Sequence, residues 1–368
     1  MTLVPADHAE ARRAFLAAAR QSGLALESHP LAGHPGLATD VARLGPAGAG
    51  RLLAILSGTH GNEGLAGSAI QRDTIQGLDA LLAAHGGLPE DFALLFVHAV
   101  NPWGMANLRR QNAGNVDLNR NFRDWSVAPP SRPVYRELHP FLVPQEWTAA
   151  SEADFLSRAG ALLERHGEAW LQARLTEGQY EVPDGLYWGG DGPAAETLAL
   201  AAILSRHLQG AREALLIDCH TGMGAWGDWL VIAGTAADTP EGQWLANSFS
   251  PQRIHFLASG GEAHGGRWPT TEGKMTGGIA AAHPHIRIRS FSLEFGTHDG
   301  RTVFLAERRE HWAWARLGPD HPERIAAAAA LQRLMVPDDP VWQQRLLAGA
   351  RACIADGLRA LAGEGKAR

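Results

Sequence analysis

The apolar residues of this chain fall into runs with two alternating spacings. Two short, almost wholly apolar runs, "RLLAIL" at 51–56 and "FALLFVHAV" at 92–100, are typical of buried strands. Between them, "LAGSAIQRDTIQGLDALLAAHGG" carries apolar residues at helical spacing and ends in Gly-Gly, which favours a helix stop. A strand, a helix and a second strand in this order predict a βαβ unit, and hence a parallel sheet covered by helices.

The alternation resumes in the second half of the chain. A predicted helix at 196–208 precedes three further strand-like runs, "ALLIDCH", "WLVIAG" and "SFSLEFG", and C-terminal helices follow. At the other end, an amphipathic helix is followed by two short strand-like segments, "GLALESHPL" and "LATDVARLG". These elements predict an α/β fold with one mixed, largely parallel twisted sheet and helices on both of its faces.

A Pro-rich segment, "APPSRPVYRELHPFLVP", and a helical stretch at 151–176 interrupt this alternation. We interpret residues 123–195 as an insertion packed on the same sheet. The chain of 368 residues would fit one large domain or two small ones. Because the strand pattern continues across the insertion, we predict a single domain over 1–368.

Composition narrows the class of protein. With 45% hydrophobic and 20% charged residues the chain is typical of a globular protein. The net charge of −6 and the absence of a long basic run argue against nucleic acid or an anionic membrane as partner, and no apolar run is long enough to span a bilayer. We therefore expect a small molecule or a short peptide as partner, and the sequence leaves formation of a homo-oligomer open. Only two cysteines occur, which favours a reducing cytoplasm and requires any metal site to use His and carboxylate.

The stretch "SGTHGNEG" at 57–64 follows a predicted strand and holds the first candidate site residues. His60 and Glu63 are either metal ligands or part of a tight turn with a capping glutamate. His220 ends another predicted strand, and because ligands bind at the carboxyl ends of strands it would complete a set of two histidines and one carboxylate with an open position. Glu294 lies in an otherwise apolar strand, where an unpaired carboxylate is costly, so we predict that it is the general base that acts on metal-activated water.

Polar and charged residues crowd the segment "LRRQNAGNVDLNRNF". A solvated loop would explain these charges equally well if the metal ligands were absent. With them, Asn119 and Arg120 can bind a substrate carboxylate, and Arg110, or alternatively Arg109, can stabilise the oxyanion. Asp117 can hold a ligand imidazole from outside the ligand set.

The order of these motifs, "HGNE", Arg, "NVDLNRNF", "DCHTG" and "LEFGT", resembles the zinc carboxypeptidase superfamily. It looks closest to an uncharacterised bacterial branch that borders the aspartoacylase and succinylglutamate desuccinylase deacylases. The resemblance implies a carboxypeptidase A-like fold, one zinc ion per chain and the residue roles given above. These roles are zinc ligation by His60, Glu63 and His220, catalysis by Glu294 and Arg110, substrate binding by Asn119 and Arg120, and support of His60 by Asp117.

One departure from the superfamily affects specificity. Peptide-cleaving members place a tyrosine between the third ligand and the catalytic glutamate, whereas this chain has none between His220 and Glu294. Either that contact with substrate is absent, or another residue, such as His264 or a tryptophan, provides it. The further histidines near the Gly-rich region leave open whether a second metal binds: they are His255, His264, His283, His285 and His298.

Two functions remain at this stage. The first is a zinc-dependent hydrolase of amide bonds in small substrates with a free carboxylate, acting as a carboxypeptidase or as an N-acyl amino acid deacylase. The alternative is a catalytically silent, zinc-stabilised binding protein. An open three-ligand site with a nearby carboxylate favours the hydrolase, because structural zinc sites are closed by four protein ligands.

Overall fold

The fold was analysed in a computed structural model, which describes residues 3–257, 262–263, 266–267 and 272–363. The strands are β1 Ala25–Pro30, β2 Ala38–Leu44, β3 Arg51–Ser57, β4 Phe92–His98, β5 Glu213–Trp226, β6 Trp229–Ala233, β7 Ile254–Phe256, β8 Glu262–Ala263, β9 Gly266–Arg267 and β10 Arg287–Gly296. The α-helices are α1 His8–Gln21, α2 Gly64–Gln76, α3 Leu78–Ala83, α4 Pro102–Ala106, α5 Pro133–Leu142, α6 Ala149–His166, α7 Glu168–Thr176, α8 Ala195–His207, α9 Pro240–Ser248, α10 Met275–Ala282, α11 Gly300–Leu317, α12 Pro322–Met335 and α13 Pro340–Ala362. Short 3₁₀ helices cover Gly61–Glu63 and Leu118–Arg120.

One eight-stranded mixed sheet organises the molecule, in the order β1-β2-β4-β3-β5-β10-β6-β7. The predicted βαβ unit is present, since β3 and β4 pair in parallel with α2 and α3 between them. The central strands β3, β5 and β10 are also mutually parallel, so their carboxyl ends meet at one edge of the sheet. The predicted α/β fold class, with a mixed and largely parallel sheet between helices, is confirmed.

Two apolar clusters lie on the two faces of the sheet. One contains Phe15, Leu53 and Phe291 with the helices α1, α2 and α13, and the other contains Leu52, Leu216 and α8. Alternate residues of one strand therefore enter opposite cores, as the two-residue period of a strand requires. No helix within the described ranges is long and apolar enough to cross a bilayer.

The insertion differs in two respects from what the sequence led us to expect. Its helical stretch is divided into α6 and α7 at Gly167, whose φ of 83° does not continue a helix. Its helices share an apolar cluster with α11 through Tyr135, Phe155 and Trp312, so they pack mainly on that helix instead of directly on the sheet. Only Trp188 and the residues next to α8 join the core beneath the sheet.

Candidate metal centre

The candidate site lies where β3 and β5 end. Gly58, with a φ of 73°, turns the chain out of β3 into the 3₁₀ helix that begins after His60. Gly61 lies so close to α4 that an added Cβ would be 2.0 Å from the carbonyl carbon of Gly104, which explains the glycine at this position. These contacts bring His60 and Glu63 next to His220 on the neighbouring parallel strand.

The three predicted ligands converge on one point. His60 Nδ1 lies 2.9 Å from Glu63 Oε1, and His220 Nδ1 lies 3.1 Å from Glu63 Oε2. One donor atom from each residue lies within 4.8 Å of the others, and all three side chains are buried. Two imidazole nitrogens and one carboxylate in a shielded position are donors that suit a zinc ion. In the part of the chain that is described, this is the one such cluster.

Two carboxylates hold the outer nitrogens of the imidazoles. Asp117 Oδ1 lies 3.3 Å from His60 Nε2, and Asp218 Oδ2 lies 2.6 Å from His220 Nε2. Both aspartates are completely buried, and Asp218 also accepts a hydrogen bond of 2.8 Å from the Thr59 hydroxyl. Asp218 accepts a hydrogen bond from His220 Nε2, which leaves the Nδ1 lone pair of His220 free for a metal, whereas Asp117 lies beside His60 Nε2 without forming a hydrogen bond. A carboxylate next to the outer nitrogen of each imidazole fits a zinc site.

Asp218 was not predicted from the sequence, although a signal was present. Residues two apart on a strand point to the same face, so "DCH" in β5 places Asp218 beside His220. The same alternation turns Cys219 into the apolar core, where burial raises its thiol pKa. In the metal-free protein the charges of Asp218 and Glu63 outweigh burial and raise the pKa of His220 well above its usual value.

Glu294 lies beside the ligands without belonging to them. Its Cα is paired with that of His220 across the parallel strands β10 and β5, so the two side chains share a face of the sheet. Its side chain is 7% exposed, and Oε2 has no hydrogen-bond partner among the described residues. Burial raises the pKa of this carboxyl to about 8, against the attraction of His220.

The structure distinguishes the two arginines that the sequence left open. Arg109 is fully buried and turned away, with its guanidinium 3.2 Å from Glu310 and stacked on Trp314 at 3.9 Å from the ring centroid. Arg110 reaches the site instead: its guanidinium donates to Asp117 Oδ2 at 2.9 Å and lies 3.8 Å from Glu63 Oε1. Arg110 is therefore the arginine placed to meet a group bound at the ligands.

Asn119 and Arg120 lie in the short 3₁₀ helix that follows Asp117. Asp117 caps their 3₁₀ helix by accepting a 3.0 Å hydrogen bond from the Asn119 backbone amide. Asn119 Oδ1 accepts from the backbone amide of Met275 at 2.9 Å, and the amide group of its side chain donates to no described residue. Arg120 donates to the backbone carbonyls of Asn119 and Thr176, and among the described residues no carboxylate forms an ion pair with it.

Two tyrosines of the insertion border this region, and the sequence analysis assigned neither to it. The Tyr187 hydroxyl donates to Glu307 Oε2 at 2.5 Å, and its ring lies 5.2 Å below the guanidinium carbon of Arg110. The Tyr180 hydroxyl donates to the backbone carbonyl of Arg120 at 2.7 Å. Tyr187 is buried and held by Glu307, so it does not act as a mobile cap on substrate. His264, proposed for that contact, lies outside the described residues.

Lys274 is a further site residue that the sequence analysis overlooked. It precedes α10, and its ammonium group interacts electrostatically with Arg120, Glu294, Arg110 and Asp117.

Among the other histidines considered for a second metal, His283 bonds the hydroxyl of Ser205 at 3.0 Å.

Solved structures show which known fold this chain shares. The chain is similar to bovine thrombin-activatable fibrinolysis inhibitor, solved in complex with tick carboxypeptidase inhibitor, with 11% identity, a TM-score of 0.51 and 97% of each chain covered. It is also similar to carboxypeptidase A from Helicoverpa armigera, with 14% identity, a TM-score of 0.42 and coverage of 89% and 73% of the two chains. The murein-tripeptide amidase MpaA of Escherichia coli O157 shows 19% identity, a TM-score of 0.37 and coverage of 82% and 97%. The predicted zinc carboxypeptidase-like fold is confirmed.

The family follows from the sequence itself. The chain belongs to the DUF2817 family, described as a protein of unknown function, whose model matches residues 5–349. No curated protein matches the chain.

Proposed function

We propose that this protein is a zinc-dependent hydrolase of amide bonds in small substrates that carry a free carboxylate. The observation that supports it best is the convergence of His60 Nδ1, His220 Nδ1 and the Glu63 carboxylate beside the buried, unliganded carboxyl of Glu294. A zinc ion held by these three residues would act as a Lewis acid and lower the pKa of water. The position of Glu294 outside the ligand set argues against a silent binding protein.

The surrounding residues acquire distinct roles in this proposal. Glu294 accepts the proton of the attacking water and later returns it to the leaving amine, because its carboxyl lies beside the ligands without belonging to them. Arg110 donates hydrogen bonds to the oxygen of the scissile carbonyl as negative charge develops there. Asp117 keeps the Arg110 guanidinium in place and contacts His60, so it orients two parts of the site together.

Asn119 and Arg120 select substrates by their carboxylate. The free amide group of Asn119 and the buried guanidinium of Arg120 present donors with no carboxylate of the described chain bound to them. The contacts of Arg120 with Thr176 and Tyr180 connect the proposed carboxylate-binding residues to the insertion. Asn119 and Arg120 are each less than a tenth exposed. This confinement favours N-acyl amino acids or very short peptides over long polypeptides.

Metal content and the Glu294→Gln variant test the proposal. Purified protein is expected to bind about one zinc ion per chain, as a site with three protein ligands requires. Glu294→Gln should retain zinc and lose roughly 10²- to 10⁴-fold in kcat on N-acyl amino acids, the range typical of a lost general base. Glu164→Gln, an exposed substitution on α6, is the matched control and should keep full activity. Full turnover by Glu294→Gln, or no affinity for zinc, would contradict the mechanism.

The carboxylate requirement has a separate test. N-acyl amino acids and dipeptides are compared with their C-terminal amides, which remove the charge and preserve the scissile bond. We expect the free acids to be hydrolysed with a kcat/KM roughly tenfold or more higher, because a charge-assisted contact is lost in the amides. Equal rates for acids and amides would exclude Asn119 and Arg120 as carboxylate-binding residues.

A further inference from the structure

The use of lysine in this chain is unusual. Of its 33 basic residues only two are lysines, Lys274 and Lys366, and the rest are arginines. Arginine is therefore the ordinary cation of this sequence, also at buried positions such as Arg109. Lys274, by contrast, lies next to the candidate site. Its compact ammonium group with three donors binds a ligand differently from a planar guanidinium, so the choice of lysine matters most at such a place.

The backbone holds Lys274 against the segment that carries Asn119 and Arg120. On one side, the Phe122 amide donates to the carbonyl of Gly273 at 3.0 Å. On the other side, the Met275 amide donates to Asn119 Oδ1 at 2.9 Å. Gly273 lies so close that an added Cβ would be 2.1 Å from the Arg120 carbonyl oxygen. Lys274 is thus placed between two anchors on this segment, independently of any property of its side chain.

The ammonium group of Lys274 has no compensating partner among the described residues. No hydrogen bond or ion pair joins it to any other described residue, although it lies within electrostatic range of Glu294 and Asp117. The carboxylate of Asp117 is engaged by Arg110, and Arg120 also lacks an ion pair among the described side chains. Burial and the neighbouring charge of Arg120 lower the pKa of Lys274 to about 7. An anion that binds between Lys274 and Arg120 would relieve both effects.

We propose that Lys274 is a substrate-binding residue that holds the substrate carboxylate together with Asn119 and Arg120. This inference rests on the proposed hydrolase and adds a residue to it. Lys274 also lies in the interval between His220 and Glu294, in which the sequence has no tyrosine. Arg120 already donates to two backbone carbonyls, whereas none of the three donors of Lys274 bonds a described residue. A pairing of Lys274 with Glu294 alone would explain the residue less well, because the two groups form no ion pair within 4.0 Å.

Direct observation of the lysine tests the inference without turnover. Metal-free protein labelled with ¹³C at lysine Cε should give two side-chain signals, one per lysine, and Lys366→Arg assigns them by removing one. The probes are N-acetyl-L-alanine, N-acetyl-L-methionine and N-acetyl-L-glutamine with their carboxamides, each titrated to tens of millimolar. The free acids should shift the Lys274 signal and raise its midpoint of titration, and the amides should not. If no acid moves the signal, or if acids and amides move it equally, the inference is wrong.

Kinetics of the zinc-loaded protein provide the second measurement. Lys274→Met removes the charge at similar length and should raise KM for free acids roughly 10- to 100-fold, which reduces the preference for free acids over amides by a similar factor. Lys274→Arg keeps the charge and should recover part of the loss. A fall in kcat for acids and amides alike, or an unchanged acid preference, would overturn the role. Thermal unfolding and zinc content of each variant separate this result from misfolding.

The two proposals fail in different ways. If the wild-type protein hydrolyses no substrate, the proposed function is wrong, and the lysine titration still decides whether Lys274 binds a carboxylate. If the wild-type protein prefers free acids and Lys274→Met shows the same preference, only the role of Lys274 is wrong.

Discussion

Replacement of Asp218 by asparagine tests the support of the metal ligands in most detail. In the wild-type protein the carboxylate accepts from two donors, the Thr59 hydroxyl at 2.8 Å and His220 Nε2 at 2.6 Å. Asparagine has one acceptor oxygen and one donor amide group. If its oxygen accepts from Thr59, its amide group faces Nε2 and favours the tautomer with the proton on Nδ1. That proton occupies the atom that should bind the metal.

We therefore expect Asp218→Asn to weaken zinc binding by about 10- to 100-fold, the range found when an outer carboxylate of a metal-binding histidine is removed. This corresponds to about 1.4 to 2.8 kcal/mol. Competition with a chromogenic chelator at pH 7.5 measures the affinity. Thr59→Val is the matched control, since it removes the other hydrogen bond to Asp218 and leaves that with His220. An unchanged affinity in Asp218→Asn, or an equal loss in Thr59→Val, would refute the reasoning about the tautomer.

Three further predictions concern stability and the two neighbouring arginines. Gly61→Ala should destabilise the protein by several kcal/mol in chemical denaturation, because its Cβ would overlap the backbone near Gly104, whereas Gly277→Ala, with open space, should be neutral or stabilising. Arg109→Met should cost at most about 3 to 5 kcal/mol, because it leaves buried Glu310 with only the 3.9 Å contact to Arg324, yet it should keep zinc affinity. Arg110→Met should instead lower kcat/KM on N-acyl amino acids roughly 10²-fold, and equal effects of both arginine variants would contradict the distinction. Burial lowers the pKa of His98 to about 3, so between pH 6.5 and pH 3 the unfolded chain binds a proton that the folded chain does not. Stability therefore falls as the pH is lowered through that window, by about 2 kcal/mol at pH 5. His98→Gln should flatten this decline in urea unfolding, and the exposed control His285→Gln should not.

The sequence was most informative where chemistry follows a strand. His60, Glu63 and His220 were identified because each lies at the end of an apolar run, and parallel strands bring such ends together. Asp218 could have been found by the same logic, from its position two residues before His220. The period of a strand is local information, so a single sequence contains it.

Other parts of the site depend on contacts between distant segments. Tyr187 and Glu307 are 120 residues apart and meet only because the insertion packs on α11. No spacing in the sequence signals that pairing. The choice between Arg109 and Arg110 has the same origin, since it is decided by Glu310 on α11 and by Asp117. Lys274 lies between these cases: its placement is tertiary, but its rarity as a lysine was readable in the composition.

The contact between Arg120 and the end of α7 has a consequence for how this protein can diversify. The proposed catalytic groups lie at the sheet, whereas Arg120, which we propose binds the substrate carboxylate, is held by Thr176 and Tyr180 of a peripheral segment. Changes in α5 to α7 can therefore retune what is accepted while the reactive centre stays intact. Two related chains could share every ligand and still serve different metabolites, so ligand motifs alone would group them wrongly and the insertion would be the better guide to their substrates.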